Sequence, residues 1–217
     1  MKCIVLDIGE TLVRDDRYWA LWADWLAIPR HTVSALVGAV VAQGRDNADA
    51  LRLLRPDIDI GAEYRAREAA GRGEYLDETD LYDDVRPALA ALRELGVRVV
   101  IAGNQTVKAA KLLRYLNLPA DFVATSGEWG CAKPSGEFFA RVLETAAGAA
   151  PWEIVYVGDH PANDTLAASA AGLRAAHLRR GPWGHLWADE PMVVEAADWV
   201  IDSLYDLIDI VKQHQMV

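Results

Sequence analysis

Apolar positions along the chain fall into short unbroken runs separated by stretches with helical spacing. Residues 2–6 form a short, β-branched apolar run that stops at Asp7, the mark of a buried strand ending on a carboxylate. Gly9 lets the chain turn sharply behind it. From residue 14 to residue 80 the pattern changes. Asp15 and Asp16 precede a helical repeat of Tyr18, Trp19, Leu21, Trp22, Trp25 and Leu26 and are expected to cap it. A second helical pattern runs from Thr32 through Val33, Leu36, Val37, Val40 and Val41 and stops at Gly44, with weaker ones over 48–54 and 62–70. The Gly71-Arg72-Gly73 breaker and the acidic stretch 77–84 read as a return linker. Residues 14–80 show no strand pattern and are expected to form an inserted all-helical module.

Beyond it helices and strands alternate. Helices are expected over 85–95, 107–115, 137–146, 164–171 and 204–213, and strands over 97–102, 122–124, 154–157, 175–178 and 199–201. The segment Gly181-Pro182-Trp183-Gly184-His185 reads as a structural turn. Alternation of this kind predicts an α/β fold: a parallel sheet covered by helices on both faces, a three-layer Rossmann-like core over 1–13 and 81–217 with the helical insertion over 14–80. Ligands of such sheets bind beyond the C-terminal strand ends, so polar residues there are the candidates for chemistry.

Composition narrows the function. A chain of 217 residues, 52% hydrophobic, is long enough for a core domain plus a smaller insertion. Its formal net charge of −10 disfavours nucleic acid and anionic membrane surfaces as partners, while a small anionic ligand remains compatible with a locally positive site. Two cysteines, Cys3 in an apolar run and Cys131 in a loop, are too few for a disulfide framework or a cysteine-built metal site. No apolar run reaches the ~18 residues of a membrane span. The first residues lack the form of a signal peptide, so a cytoplasmic location is expected.

Three strand ends present Asp7, Asn104 and Asp159; a loop carries Lys133-Pro134, and Asp164 follows Asp159 after four residues. Converging carboxylates need a counter-charge. Oxygen donors select a hard divalent cation such as Mg²⁺, and a carboxylate beside it is a competent nucleophile toward phosphorus. Taken singly these residues have plainer readings: Asp159 in an Asx turn, Asp164 as a helix cap, Asn104 as a turn residue. Trp19, Trp22 and Trp25 recur at helical spacing and are read as helical-module core, and Arg14 and Arg17 as solvated charges beside the site.

In order, Asp7-Ile8-Gly9-Glu10-Thr11-Leu12, Gly103-Asn104, Lys133-Pro134 and Gly158-Asp159 with Asp164 resemble the four motifs of the haloacid dehalogenase-like hydrolases, and residues 14–80 fall where the helical cap of the first type is inserted. The resemblance implies a Mg²⁺-dependent phosphatase of a small phosphorylated metabolite, working as a monomer or homodimer through an aspartyl-phosphate at Asp7. It implies that Asp7, the Gly9 carbonyl, Asp159 and Asp164 serve the metal, Asp164 through water or by orienting Lys133. Lys133 would stabilise the phosphoryl group, Thr11 would tie the loop after the first strand, and Gly103 and Asn104 would meet the substrate.

Two positions depart from the family pattern. Gly9 replaces the aspartate that acts as general acid and base, and Gly103 replaces a Ser or Thr of the second motif. Glu10 and His160 are the nearest substitutes for the missing acid. The departures keep open a catalytically weak protein that binds a ligand or partner, and a 2-haloacid dehalogenase-type hydrolase. The phosphonate-cleaving branch needs a lysine in the cap, and residues 14–80 contain none.

Overall fold

A computed structural model describes residues 1–215. The run ahead of Asp7 forms β1 (Cys3–Leu6), every residue of which is buried. A strand covered on both faces needs apolar side chains on both, which is why the run is continuous and not alternating. Four helices follow: α1 (Asp16–Leu26), α2 (Arg30–Val41), α3 (Asp49–Leu54) and α4 (Ile60–Ala69). The rest of the chain alternates, as α5 (Val85–Glu94), β2 (Arg98–Gly103), α6 (Val107–Tyr115), β3 (Phe122–Thr125), α7 (Ser126–Trp129), α8 (Gly136–Thr145) and β4 (Ile154–Gly158). It continues through α9 (Ala167–Ala170), β5 (Arg174–Leu178), α10 (Gly181–Trp187), α11 (Pro191–Ala196), β6 (Trp199–Ile201) and α12 (Leu204–Gln215).

The six strands form one sheet in the order β3-β2-β1-β4-β5-β6, with every neighbouring pair parallel. The fold is therefore a Rossmann-like α/β sheet. The chain runs outward from β1 to β3 and then resumes on the other side of β1 at β4. That reversal is the point where ligands settle in sheets of this topology. Register places Leu6 opposite Ile101 on one side and Val157 on the other, so Asp7 emerges at the C-terminal edge between β2 and β4.

Beneath that edge lies one core cluster, in which Cys3, Val5, Val100, Ile154 and Tyr156 meet Phe138, Phe139 and Val142 from α8. Phe139 packs edge-to-face against Phe138 at 5.6 Å and Tyr156 at 5.4 Å. Burial pushes the Cys3 thiol up to about 12, so Cys3 behaves as a small apolar residue.

The chain divides into two compact units, with breaks between Arg14 and Asp15 and between Leu76 and Asp77. The smaller unit holds α1 to α4. Its apolar stripes bury Trp19, Trp22, Ala23 and Leu26 on α1 and Val33, Val37, Val40 and Val41 on α2. Asp15 occupies the N-cap position of α1, but its side chain makes no capping hydrogen bond, contrary to the sequence expectation. Asp59 does cap α4, accepting from the Ala62 N–H at 2.9 Å.

Two expectations for the larger unit need correction. Gly181-Pro182-Trp183-Gly184-His185 is not a turn but the body of α10, with Pro182 in its first turn, where a missing N–H costs nothing. The helix expected over 164–171 begins earlier and differently. Residues Pro161–Leu166 form wide π-type turns that pass into α9, and such turns frequently mark functional sites. Among the described residues no helix is long and apolar enough to cross a membrane.

Candidate active site

Asp7 leaves β1 with its N–H donating to the Val157 carbonyl at 2.9 Å, so β4 holds the first residue beyond the strand. Asp159 stands at the equivalent point of β4, after Gly158. Asp164 reaches back from the wide turns, its Oδ2 accepting the His160 N–H at 2.9 Å. All three carboxylates are buried, and one oxygen of each lies within 4.8 Å of the others.

Lys133 enters from the loop between α7 and α8. Its Nζ lies 2.6 Å from Asp7 Oδ1 and 2.5 Å from Asp164 Oδ1, with the Tyr156 ring 5.3 Å away. Asn104 fixes the main chain that carries it: Asn104 Nδ2 donates to the Lys133 carbonyl at 3.0 Å, and the Lys133 N–H donates to Asn104 Oδ1 at 2.8 Å. The Lys133–Pro134 peptide bond is cis. Asn104, expected to meet the substrate, thus spends both ends of its amide holding Lys133.

The two glycines at strand ends have a steric reason. A Cβ on Gly103 would meet Asp7 Oδ1, and a Cβ on Gly158 would meet the Asp164 carboxylate. Gly103 gives the Asp7 carboxylate room and has no side chain to offer a ligand.

Electrostatics follow from burial and arithmetic. Three carboxylates face one ammonium, leaving a formal deficit of positive charge. Burial pushes Asp7 up to about 6, with Lys133 pulling it down and Asp164 pushing it further up. Burial alone would depress Lys133, but Asp164 and Asp7 together hold it well above the usual lysine value. Lys133 therefore stays charged. The remaining negative charge, displayed on oxygens alone, matches what a hard divalent cation requires. The residues present fit Mg²⁺.

The segment after β1 is fastened from outside. Glu10 adopts a left-handed backbone, φ 49°, and its Oε2 accepts the Tyr82 hydroxyl. Burial and then Glu10 push the Tyr82 phenol up, so it remains a donor. Arg180 stacks over the Tyr82 ring at 4.3 Å, donates from Nη1 to the Thr11 carbonyl at 2.8 Å, and pairs with Asp84. Asp84 Oδ2 also accepts from Ser203 Oγ at 2.7 Å and the Leu204 N–H at 2.9 Å. The Thr11 hydroxyl has no hydrogen-bond partner among the described residues, so Thr11 ties this segment through its carbonyl and not through its side chain. His160 stacks on Trp183 at 4.1 Å and accepts the Asn163 N–H on Nδ1. Arg14 reaches the Thr79 carbonyl at 2.5 Å, and Arg17 lies over the Tyr75 ring at 5.2 Å.

Arg180 and Asp84 were not anticipated. Arg180 was within reach of the strand-end argument, since it stands two residues beyond β5. Asp84 reads in the sequence as one more acid of the return linker.

Among curated relatives, glyceraldehyde 3-phosphate phosphatase of Methanocaldococcus jannaschii is 33% identical over 134 residues, covering 60% of this chain and 56% of that protein. Phosphoserine phosphatase of Thermus thermophilus is 34% identical over 133 residues, 56% of this chain and 50% of that protein. The match thus spans about half the length of these relatives. Among solved structures, a HAD-hydrolase of Bacillus subtilis bound to magnesium superposes with TM-score 0.67 at 17% identity, over 97% of this chain and 98% of that one. Residues 1–172 match the family model for haloacid dehalogenase-like hydrolase, and the chain belongs to that family.

Proposed function

We propose that the chain is a Mg²⁺-dependent phosphohydrolase acting on a small phosphorylated metabolite, with Asp7 as the nucleophile. The observation that carries this reading is the placement of Lys133 Nζ between Asp7 and Asp164, whose carboxylates cluster with that of Asp159. Phosphatase-named relatives support it.

Asp7, Asp159 and the Gly9 carbonyl would hold the ion, with Asp164 in support. A bound Mg²⁺ supplies charge neutralisation to phosphoryl oxygens and to the carboxylates around it. Asp7 attacks phosphorus through a carboxylate oxygen, the ester oxygen departs, and the resulting aspartyl-phosphate is cleaved by water. Lys133 opposes the negative charge that accumulates on the transferring group. Asp164 holds its Nζ and Asn104 holds its main chain, so the ammonium needs little reorganisation during the reaction.

The departing oxygen receives no proton from residue 9, because glycine has none to give. General acid catalysis is worth roughly 10²–10⁴ in rate. Glu10 is hydrogen-bonded to Tyr82, and His160 is stacked on Trp183. The chain should therefore favour substrates whose leaving group departs as a stable anion, such as acyl phosphates, over simple alkyl phosphates.

The same observations favour one second reading, a protein that binds a phosphorylated ligand and turns it over slowly. One assay separates the two. Phosphate release is measured from acyl phosphates, glyceraldehyde 3-phosphate and phosphoserine, each with Mg²⁺ and with chelator, for the natural chain and for Asp7→Asn. Metal-dependent release abolished in Asp7→Asn supports the enzyme. Retained turnover in Asp7→Asn defeats the mechanism. Absence of release, with Mg²⁺ bound, moves the reading to the binding protein. Halide release from a 2-haloacid, undiminished in chelator, would instead point to carbon-centred, dehalogenase-type hydrolysis.

A further inference from the structure

Two arginines are buried among the described residues, Arg180 and Arg67. Arg180 has Asp84 and the Thr11 carbonyl. Arg67, on α4 of the helical unit, has neither kind of partner. It is 2% exposed, and its Nε and Nη1 meet no hydrogen-bond acceptor among the described residues. Its guanidinium lies over the Trp22 ring at 4.3 Å. The Trp22 Nε1 is also buried and has no hydrogen-bond partner among the described residues.

Arginine is almost never buried this far without a partner, because its solvation is lost and nothing replaces it. The π face of Trp22 offsets part of that loss but accepts none of the N–H donors. One carboxylate, Glu68, acts on the Arg67 charge without accepting from its Nε or Nη1. Glu68 Oε1 accepts the Glu74 N–H at 2.7 Å, and Glu74 Oε2 accepts the Tyr64 hydroxyl at 2.7 Å. Tyr18, exposed, and Tyr64, half-buried, both act on the Arg67 charge. Arg67 Nε, Arg67 Nη1 and Trp22 Nε1 are three buried donors without acceptors among the described residues. A metal cation is repelled from the guanidinium, a neutral apolar ligand leaves the donors unpaired, and an oxyanion satisfies them.

We propose that Arg67, seated on Trp22, is the recognition point for an oxyanion, a carboxylate or phosphoryl group, of a small-molecule ligand. The planar guanidinium matches both groups, and stacking on the indole limits the side-chain entropy lost when the anion arrives. A protein that keeps an unpartnered guanidinium for this purpose gives up stability in the ligand-free state.

The test uses the full chain in chelator, so that its outcome is separable from that of the phosphohydrolase reading. Isothermal titration with inorganic phosphate and, separately, with malonate is run on the natural chain, Arg67→Met and Arg67→Lys. Saturable binding of either anion is expected, and which one binds identifies the group recognised. Arg67→Met should weaken it by roughly tenfold or more, with Arg67→Lys between the two. In anion-free buffer Arg67→Met should melt higher than the natural chain. Binding of neither anion overturns the proposal, and so does equal affinity in Arg67→Met. If Arg67→Met does not fold, Arg67→Lys decides: weakened binding supports the site, and unchanged binding removes it.

Discussion

Gly103 and Asp7 stand so close that a methyl group on the glycine would meet Asp7 Oδ1, the same oxygen that receives the Lys133 ammonium at 2.6 Å. A side chain at 103 and the present Asp7–Lys133 contact therefore exclude one another. Gly103→Ala should force the carboxylate to rotate, at a cost of about 1–3 kcal/mol, as expected for overpacking. Turnover should fall while the fold is kept. Thermal melts and kcat on the best substrate check this together. Undiminished kcat in Gly103→Ala would mean that the Asp7 orientation seen here is not the reactive one.

Lys133 is the positive charge at the centre of the carboxylates, and Lys133→Met isolates its effect. Removing one member of a buried charge set leaves the others uncompensated, which typically costs about 3–5 kcal/mol. In chelator, urea unfolding should show a loss of that order. Mg²⁺ should return part of it, since a ligand at about a hundred times its Kd contributes ~2.7 kcal/mol. A variant as stable as the natural chain in chelator would contradict the electrostatic account of the site.

Arg180 and Asp84 form the buried pair on the far side of the segment after β1, each side chain 9% exposed. Burial raises the Asp84 carboxyl, but Ser203, the Leu204 N–H and Arg180 outweigh it and hold the group below the usual carboxylate range. Arg180→Met should destabilise by about 3–5 kcal/mol, because Asp84 stays buried without its cation. Arg180→Met with Asp84→Asn should lose less than the sum of the single losses, since the residues are in contact. Strict additivity in urea unfolding would show that the pair is not energetically coupled.

Strand ends were legible because their physics is one-dimensional. An apolar run that stops on Asp7 or Gly158-Asp159 marks a buried parallel strand and its C-terminal edge without knowledge of any neighbour. What the sequence hid depends on distances across the fold. The steric reason for Gly103 lies at a residue ninety-six positions away, and the Arg180–Asp84 pair joins residues separated by 96. The helix α10 was concealed by Gly181, Pro182 and Gly184, which read as a turn when only local propensity is weighed. The short helices α7 and α11, at four and six residues, carry too few turns to show a period. The Asn104 clamp on Lys133 was visible as two polar residues but not as a partnership.

His177 makes the stability of the chain sensitive to acid. It is fully buried on β5 and exchanges a hydrogen bond with Thr165 Oγ1 at 2.9 Å, while its Nε2 has no partner among the described residues. Burial depresses its pKa from 6.5 to about 4. The unfolded chain therefore binds a proton at a pH where the folded chain does not. Stability from this residue is complete above about pH 6.5, declines as the pH falls, and levels off below about pH 4. At roughly 1.4 kcal/mol per pH unit the total loss is about 3 kcal/mol. Unfolding free energy measured by urea between those limits should fall with the slope of one extra proton taken up by the unfolded chain, over and above the slope from other groups. In His177→Gln, which keeps a polar side chain but does not titrate, that increment should vanish. An identical slope in the variant would show that His177 is protonated in the folded chain or that its burial is relieved before unfolding.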